Sequence, residues 1–307
     1  MGTSSTPVVI MNPASNSGRT ARLRPMVEQK LAGGRGELVL TERPRHGEEI
    51  GREAAKSGRP VIVVGGDGSL AEVANGVLSA QQPSAVPLGL VGAGNGNDYA
   101  WQTLKLPRDP AAALEVALSG EVVAMDVGQV NGRFFINSLS IGLDANIAAA
   151  AESLKRYPFL KGQMLYQTAS MREILFHYDK CPWLTAFPDD DQQVEGKLFA
   201  LSAVSVGPTY GGGFRINPLA DPRDGLFDLC MIAKPSKLRA LQLVGIIKKG
   251  EHVGLPEVSM RRVKKVVLES REPAYAQLDG EVIKDTRFEV SMLPGALQVR
   301  VPRKTGE

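Results

Sequence analysis

Short apolar runs alternate with helical stripes through the first third of the chain. "PVVIMNP" (7–13), "GELVLT" (36–41), "PVIVVGG" (60–66) and "VPLGLVG" (86–92) read as buried strands. Between them, residues 19–32 place Leu23, Met26, Val27 and Leu31 on one helical face. Residues 47–57 read as a second helix. Residues 69–80 put Leu70, Val73, Ala74, Val77 and Leu78 on one stripe, and 110–118 follow as another helix. Strands alternating with helices predict a parallel sheet with crossover helices, an α/β domain. Ligands of such sheets sit beyond the carboxyl ends of the strands, where the loops at 12–18, 65–68 and 92–98 fall.

The pattern changes near Met125. "AMDVGQVNGRFFINSLSIGL" reads as a hairpin with Asn131-Gly132 at its turn. Strands follow at 197–207, 226–232, 262–270, 274–280, 287–292 and 296–302, with helices around 144–156, 162–178 and 236–250. The fold class expected is therefore two domains. Residues 1–125 form an α/β parallel-sheet domain. Residues 126–307 form a mostly antiparallel β-rich domain whose last strand returns to the first.

Composition narrows the function classes. Of 307 residues, 43% are hydrophobic and 22% charged, which suits a folded chain with a real core. A net charge of +3 is too small for a nucleic-acid binder. Cys181 and Cys230 stand far apart and imply neither a zinc site nor a disulfide framework, so reduced thiols of a cytoplasmic protein are expected. The opening residues lack the regions of a signal peptide, and no apolar run is long enough for a transmembrane helix. Met1-Gly2 with Thr6 matches a myristoylation pattern that nothing else supports. His46, His177 and His252 show no metal or triad spacing and are expected in loops or at the surface.

Two glycine loops carry the candidate chemistry. "VIVVGGDGSLAEVANG" (61–76) lacks the lysine of a Walker loop, and neither it nor "GAGNGND" (92–98) fits a dinucleotide fingerprint. The physics of phosphate binding remains. Gly65, Gly66 and Gly68 allow close backbone approach at a helix start, which favours an anion. Ser69 and Glu72 form an S-x-x-E capping box. An aspartate amid glycines repels phosphate unless a cation lies between them, so Asp67 and Asp98 suggest a nucleotide with its Mg²⁺. "QLDGE" (277–281) reads by spacing as a β-turn, and so does Asp224-Gly225. Asp126 either supports a cleft or begins a strand. "GQMLYQTASMREILFHY" (162–178) is either an amphipathic helix at a lipid entry or a helix covering the core.

In their order along the chain these segments resemble the diacylglycerol kinase catalytic-domain family, especially its soluble bacterial YegS/BmrU-like lipid kinases. "NPASNSG" (12–18) is similar to the first loop of that family, "GGDGSLAEVANG" to its GGDGT-x-x-E loop and "GAGNGNDYA" to its P-x-G-T-x-N-D-F-A motif. "MDVGQVNGRFFIN" (125–137), "GGGFRINPLADPRDGLFDLCMI" (211–232) and "QLDGE" resemble its second-domain segments.

The resemblance implies ATP- and Mg²⁺-dependent phosphorylation of a lipid hydroxyl, such as that of diacylglycerol or phosphatidylglycerol, at the membrane surface. It implies a first domain like that of phosphofructokinases and NAD kinases, with the nucleotide in the cleft between domains. Asn12, Thr41, Gly65, Gly66, Asp67, Gly68, Ser69, Glu72, Gly94, Asn95, Asn97 and Asp98 would line the ATP site. Glu281 would be the base and Asp67 its catalytic partner across the site. Asp224, with the carbonyls of Asp221 and Leu226, would hold a structural Mg²⁺. Ser69 and Asn95 stand where the family has threonine, and Gly92 where it has proline. Two alternatives remain at this point: a soluble-substrate kinase such as NAD kinase, or a non-catalytic nucleotide-binding protein. The L-D-G-E and D-G-L-x-D segments favour the lipid enzyme. Lipid identity stays open, as does oligomeric state, a homodimer included.

Overall fold

The computed structural model describes residues 6–80, 82–157, 160, 162–189 and 193–303. Gly2 of the myristoylation pattern lies outside them. The chain splits into two compact units, Met1–Val127 with Pro294–Glu307, and Gly128–Leu293.

The first unit is built on parallel strands β1 (Val8–Met11), β2 (Glu37–Leu40), β3 (Val61–Gly65) and β4 (Leu88–Gly92), in the order β2-β1-β3-β4. β1 and β3 are buried throughout, which is why they read as continuous apolar runs rather than alternating ones. Helices α1 (Arg24–Leu31), α2 (His46–Lys56) and α3 (Asp67–Ala80) connect them, and α4 (Pro110–Ser119) follows β4. Val9, Met11, Ile62 and Val64 pack with Val27 and Leu114 to form the core. α4 starts where its sequence says it should. Asp109 accepts from Ala112 N at 2.8 Å, and Pro110 stands just inside, where its missing N–H costs nothing. The helix expected from residue 19 begins instead at Arg24, because Pro25 fits only a first turn. Residues Ser15–Leu23 form tighter 3₁₀ turns broken by non-helical backbone at Asn16, Ser17 and Gly18.

The second unit is antiparallel. Its elements are β5 (Glu121–Val130, entering from the first unit), β6 (Arg133–Phe135), β7 (Ser138–Gly142), α5 (Leu143–Leu154), α6 (Gly162–Phe176), β8 (Trp183–Pro188), β9 (Val194–Ser205), β10 (Phe227–Ala233), α7 (Lys237–Lys249), β11 (Val258–Val263), β12 (Lys265–Leu278) and β13 (Glu281–Val301). The ladder runs β11-β10-β9-β7-β12-β13, with β8 beside β12 and β9. Phe135, Phe199, Phe227, Leu268 and Phe288 fill its core. From Pro294 onward β13 belongs to the first unit, where Val299 pairs with Leu88.

Three details differ from the sequence pattern. The runs at 262–270 and 274–280 are divided at Lys264 and otherwise joined into β12, whose register shifts between Glu269 and Ala274. That irregularity accommodates Pro273, which cannot donate to a ladder. The runs at 287–292 and 296–302 are one strand, β13. β8 was not anticipated. Both cysteines are buried and free. His252 is fully buried, not at the surface; a ring nitrogen lies 2.8 Å from the Ile216 carbonyl, and burial pushes its pKa down.

Candidate active site

The two glycine loops of the first unit touch. A Cβ on Gly66 would lie 2.9 Å from the Gly94 Cα, and one on Gly94 2.5 Å from the Gly66 Cα. Ala93 N donates to the Gly65 carbonyl at 2.8 Å. Only glycine permits this backbone contact. Gly68, by contrast, faces open space. The first internal bond of α3 runs from Leu70 N to Gly66 O at 3.0 Å, so the amides before Leu70 head the helix, the geometry that favours an anion.

This geometry corrects the capping box. α3 begins at Asp67, so Ser69 lies inside the first turn and is not the cap. Its Oγ accepts from Asn12 Nδ2 at 3.0 Å, tying the first loop to the second. Glu72 reaches away from its own helix and accepts from Gly47 N at 2.7 Å, serving the start of α2. That helix needs the help, because Arg45 at its N-cap makes no side-chain capping bond. Asn12, Thr41, Ser69 and Glu72 thus line one recess, walled by Ile10, Val63 and Val73. Thr41 arrives there through its backbone N–H to Met11 O, 2.9 Å.

Asp67 also has structural work. It accepts from Asp98 N and Tyr99 N, both at 3.3 Å, and so binds the two loops together. Burial, and then the charge of Asp98, push its pKa up. Asp98 itself is 6% exposed. Two carboxylates in so little water suit a divalent cation, and hard oxygen donors suit Mg²⁺. Asn97, left-handed at φ 55°, closes its loop on itself. Its Oδ1 accepts from Gly94 N and its Nδ2 donates to Gly94 O, both at 2.7 Å. Asn95 is exposed beside it.

The first loop contributes features the sequence did not reveal. Asn16, Ser17 and Gly18 all adopt left-handed backbone, φ 53°, 54° and 84°. For the two non-glycine residues this is strained, and such strain concentrates at functional loops. Ser15 Oγ donates to Thr20 Oγ1 at 2.6 Å, and Thr20 Oγ1 donates to Ala93 O at 3.1 Å. A buried Thr20 thereby fastens the first loop to the glycine loop of β4; no spacing rule marks it.

The remaining candidates lie in the second unit. Asp279 and Gly280 form the two-residue turn between β12 and β13, with φ 47° and 97°. The Asp279 carboxylate accepts from Ile136, Asn137 and Ser138 N at 2.6, 3.2 and 2.9 Å. Glu281 opens β13, 46% exposed, and its Oε2 accepts from Arg133 Nη2 at 2.6 Å. At the other turn, Asp224 Oδ1 accepts from Leu226 N at 3.0 Å, while Oδ2 pairs with Arg262. Asp221 accepts from Arg223 N at 3.1 Å. Asp228 is buried with an unpartnered Oδ2, and burial pushes its carboxyl up to about 6, with Asp224 adding to the rise. Among the described residues no cluster of three acid, histidine or cysteine side chains is set to hold a metal. The oxygen donors at this turn still fit Mg²⁺ in kind, and the orphan Asp228 oxygen near Asp224 is where a cation would be welcome. Asp126 is buried in β5 and accepts from Gly295 N at 2.8 Å.

Known proteins resemble this chain in sequence and fold. Residues 6–130 match the model of the diacylglycerol kinase catalytic domain. Residues 137–301 match that of the YegS C-terminal NAD kinase beta sandwich-like domain. A diacylglycerol kinase of Mycobacterium tuberculosis is 34% identical over 255 residues, covering 81% of this chain and 79% of that protein. A Chromohalobacter salexigens protein named "Probable lipid kinase YegS-like" is 33% identical over 263 residues, covering 83% and 80%. The crystal structure of a diacylglycerol kinase from Bacillus anthracis superposes with a TM-score of 0.71 at 19% identity over the full length of both chains, a likeness of fold.

Proposed function

The chain belongs to the diacylglycerol kinase family of lipid kinases, and on that premise we propose that it transfers the γ-phosphate of ATP to a lipid hydroxyl, diacylglycerol or a related lipid such as phosphatidylglycerol. The observation that carries this reading is the backbone contact of Gly66 with Gly94, clamped by Asp67. It makes a rigid, amide-rich cradle at a helix start. Phosphoryl transfer demands little covalent chemistry from a protein, mostly positioning and charge stabilisation.

Each residue then has a role. The amides heading α3 orient the phosphates, and Ser69, fixed by Asn12, presents its hydroxyl beside them. Thr41 and Glu72 border the nucleotide in the recess. Asp67 and Asp98 would hold Mg²⁺, which when bound neutralises phosphate charge. Glu281 takes the proton from the lipid hydroxyl as its oxygen bonds to the γ-phosphorus and ADP leaves. Base catalysis of this kind is worth about 10²–10⁴ in rate. Arg133 holds Glu281 by Oε2, which fixes the direction of the other oxygen. Asp224, with the carbonyls of Asp221 and Leu226, would hold a second Mg²⁺ that stiffens its turn. The enzyme works in the cytoplasm in peripheral contact with the membrane.

The test is labelled-ATP phosphorylation of a panel of diacylglycerol, phosphatidylglycerol, sphingoid bases and ceramide, with NAD as outgroup. The expected result is Mg²⁺-dependent label in at least one lipid. Label in NAD alone overturns the substrate class, and label in nothing overturns the activity.

A further inference from the structure

Two helices of the second unit carry apolar side chains on both faces. α7 packs Leu243, Ile246 and Ile247 toward Cys230 and Ile232. Its opposite side exposes Leu238 (70%), Leu241 (54%) and Val244 (43%) in i, i+3, i+6 order. A surface helix of a soluble domain normally puts polar residues there. α7 contains Lys237, Arg239, Lys248 and Lys249 and no acid. Arg239 is paired with Glu257 and Lys237 with Asp179, while Lys248 and Lys249 have no ion-pair partner among the described residues. α6 repeats the arrangement. Leu165 and Ala169 face the core beside α5, whereas Met171, Leu175 and Phe176 are exposed, Phe176 to 77%.

The chain just beyond α6 is tied to the start of α7. Just beyond α6, Tyr178 Oη donates to Pro235 O at 2.8 Å, and Asp179 pairs with Lys234 at 2.9 Å and Lys237 at 3.8 Å. These bonds hold the segment that follows Leu175 and Phe176 at the start of α7, which opens with Lys237 and Leu238. An apolar patch bordered by lysines is what an interfacial helix presents to a bilayer.

We propose that the α6–α7 face docks this protein on a bilayer containing anionic phospholipid, with Phe176, Leu238 and Leu241 entering the acyl boundary and Lys248 and Lys249 meeting headgroup phosphates. The excess of cations on α7 selects an anionic surface over a neutral one. The proposal rests on the lipid-kinase reading for its purpose, not for its test.

The experiment is sedimentation of the full chain with phosphatidylcholine vesicles, with and without phosphatidylglycerol, in the absence of ATP. Binding is expected to the mixed vesicles and to weaken as salt rises. The L238E/L241E double variant should lose at least about tenfold in partitioning, since burial of one leucine carries about that factor. The K248E/K249E variant should lose the salt-sensitive part. Circular dichroism checks that each variant is folded. Equal partitioning of wild type and L238E/L241E overturns the proposal. So does a wild-type dimer that this variant makes monomeric, since a second copy then covers the face. Turnover on a short-chain diacylglycerol dissolved as monomers separates the two claims. The double variant should retain it. If wild type lacks all turnover yet binds mixed vesicles, the kinase reading fails and this one stands.

Discussion

Asp67 of the first unit and Glu281 of the second are held by different kinds of partner. In the first, Asp67 is gripped by the amides of Asp98 and Tyr99, and the loops it joins touch backbone to backbone. In the second, Glu281 is held by Arg133 and Asp224 by Arg262. Backbone partners cannot swing away, so the two glycine loops are organised before anything binds. Arginine side chains can swing aside and release the carboxylates they hold. The first unit is a fixed mould, and the second carries acids able to trade partners.

Asp279 tests the comparison most severely, because it is a second-unit acid held by three backbone amides. Asp279→Ala removes three amide bonds to one carboxylate and should cost about 3 kcal/mol or more, read from urea unfolding. A cost like that of an exposed ion pair would erase the distinction between backbone and side-chain partners. Next in size is Gly66→Ala. Its methyl would sit 2.9 Å from the Gly94 Cα and force the loops apart. Turnover should fall about a hundredfold with circular dichroism unchanged, the scale of a 1 Å misplacement. Unaltered kcat/KM would mean that the contact does not shape the site.

The pH dependence of Asp67 is smaller. Its folded pKa is raised, so the folded state holds the proton more tightly than the unfolded chain. Its contribution is present below the ordinary aspartate value of about 3.9 and lost as pH rises through the raised value. Melting temperature of wild type should therefore fall relative to Asp67→Asn as pH is raised across that window. A parallel pair of curves would contradict the burial argument. Smallest is Arg262→Ala, an exposed pair worth less than about 1 kcal/mol to stability. If Arg262 occupies the place of a cation, added Mg²⁺ should raise the melting temperature of this variant more than that of wild type.

What the sequence makes legible follows how local each interaction is. Asn131-Gly132 and Asp279-Gly280 specify two-residue turns by their own backbone preferences, and all four residues have positive φ. β1 and β3 of the first unit are legible because both faces are buried. Glu72 misleads because its spacing to Ser69 satisfies a local rule while its partner, Gly47, is 25 residues away. Arg133 is 148 residues from Glu281 and carries no local mark, so it emerges only once β6 and β13 are folded. β8 is a short strand ended by Pro188, too brief for its alternation to stand out.

The central claim is that Glu281 is the base of a lipid kinase. Single-turnover phosphorylation by Glu281→Gln, with saturating ATP and the best lipid of the panel, tests it most directly. Its rate should be lower by about 10²–10⁴, the range of general base catalysis, with ATP affinity unchanged. A rate equal to that of wild type would contradict it.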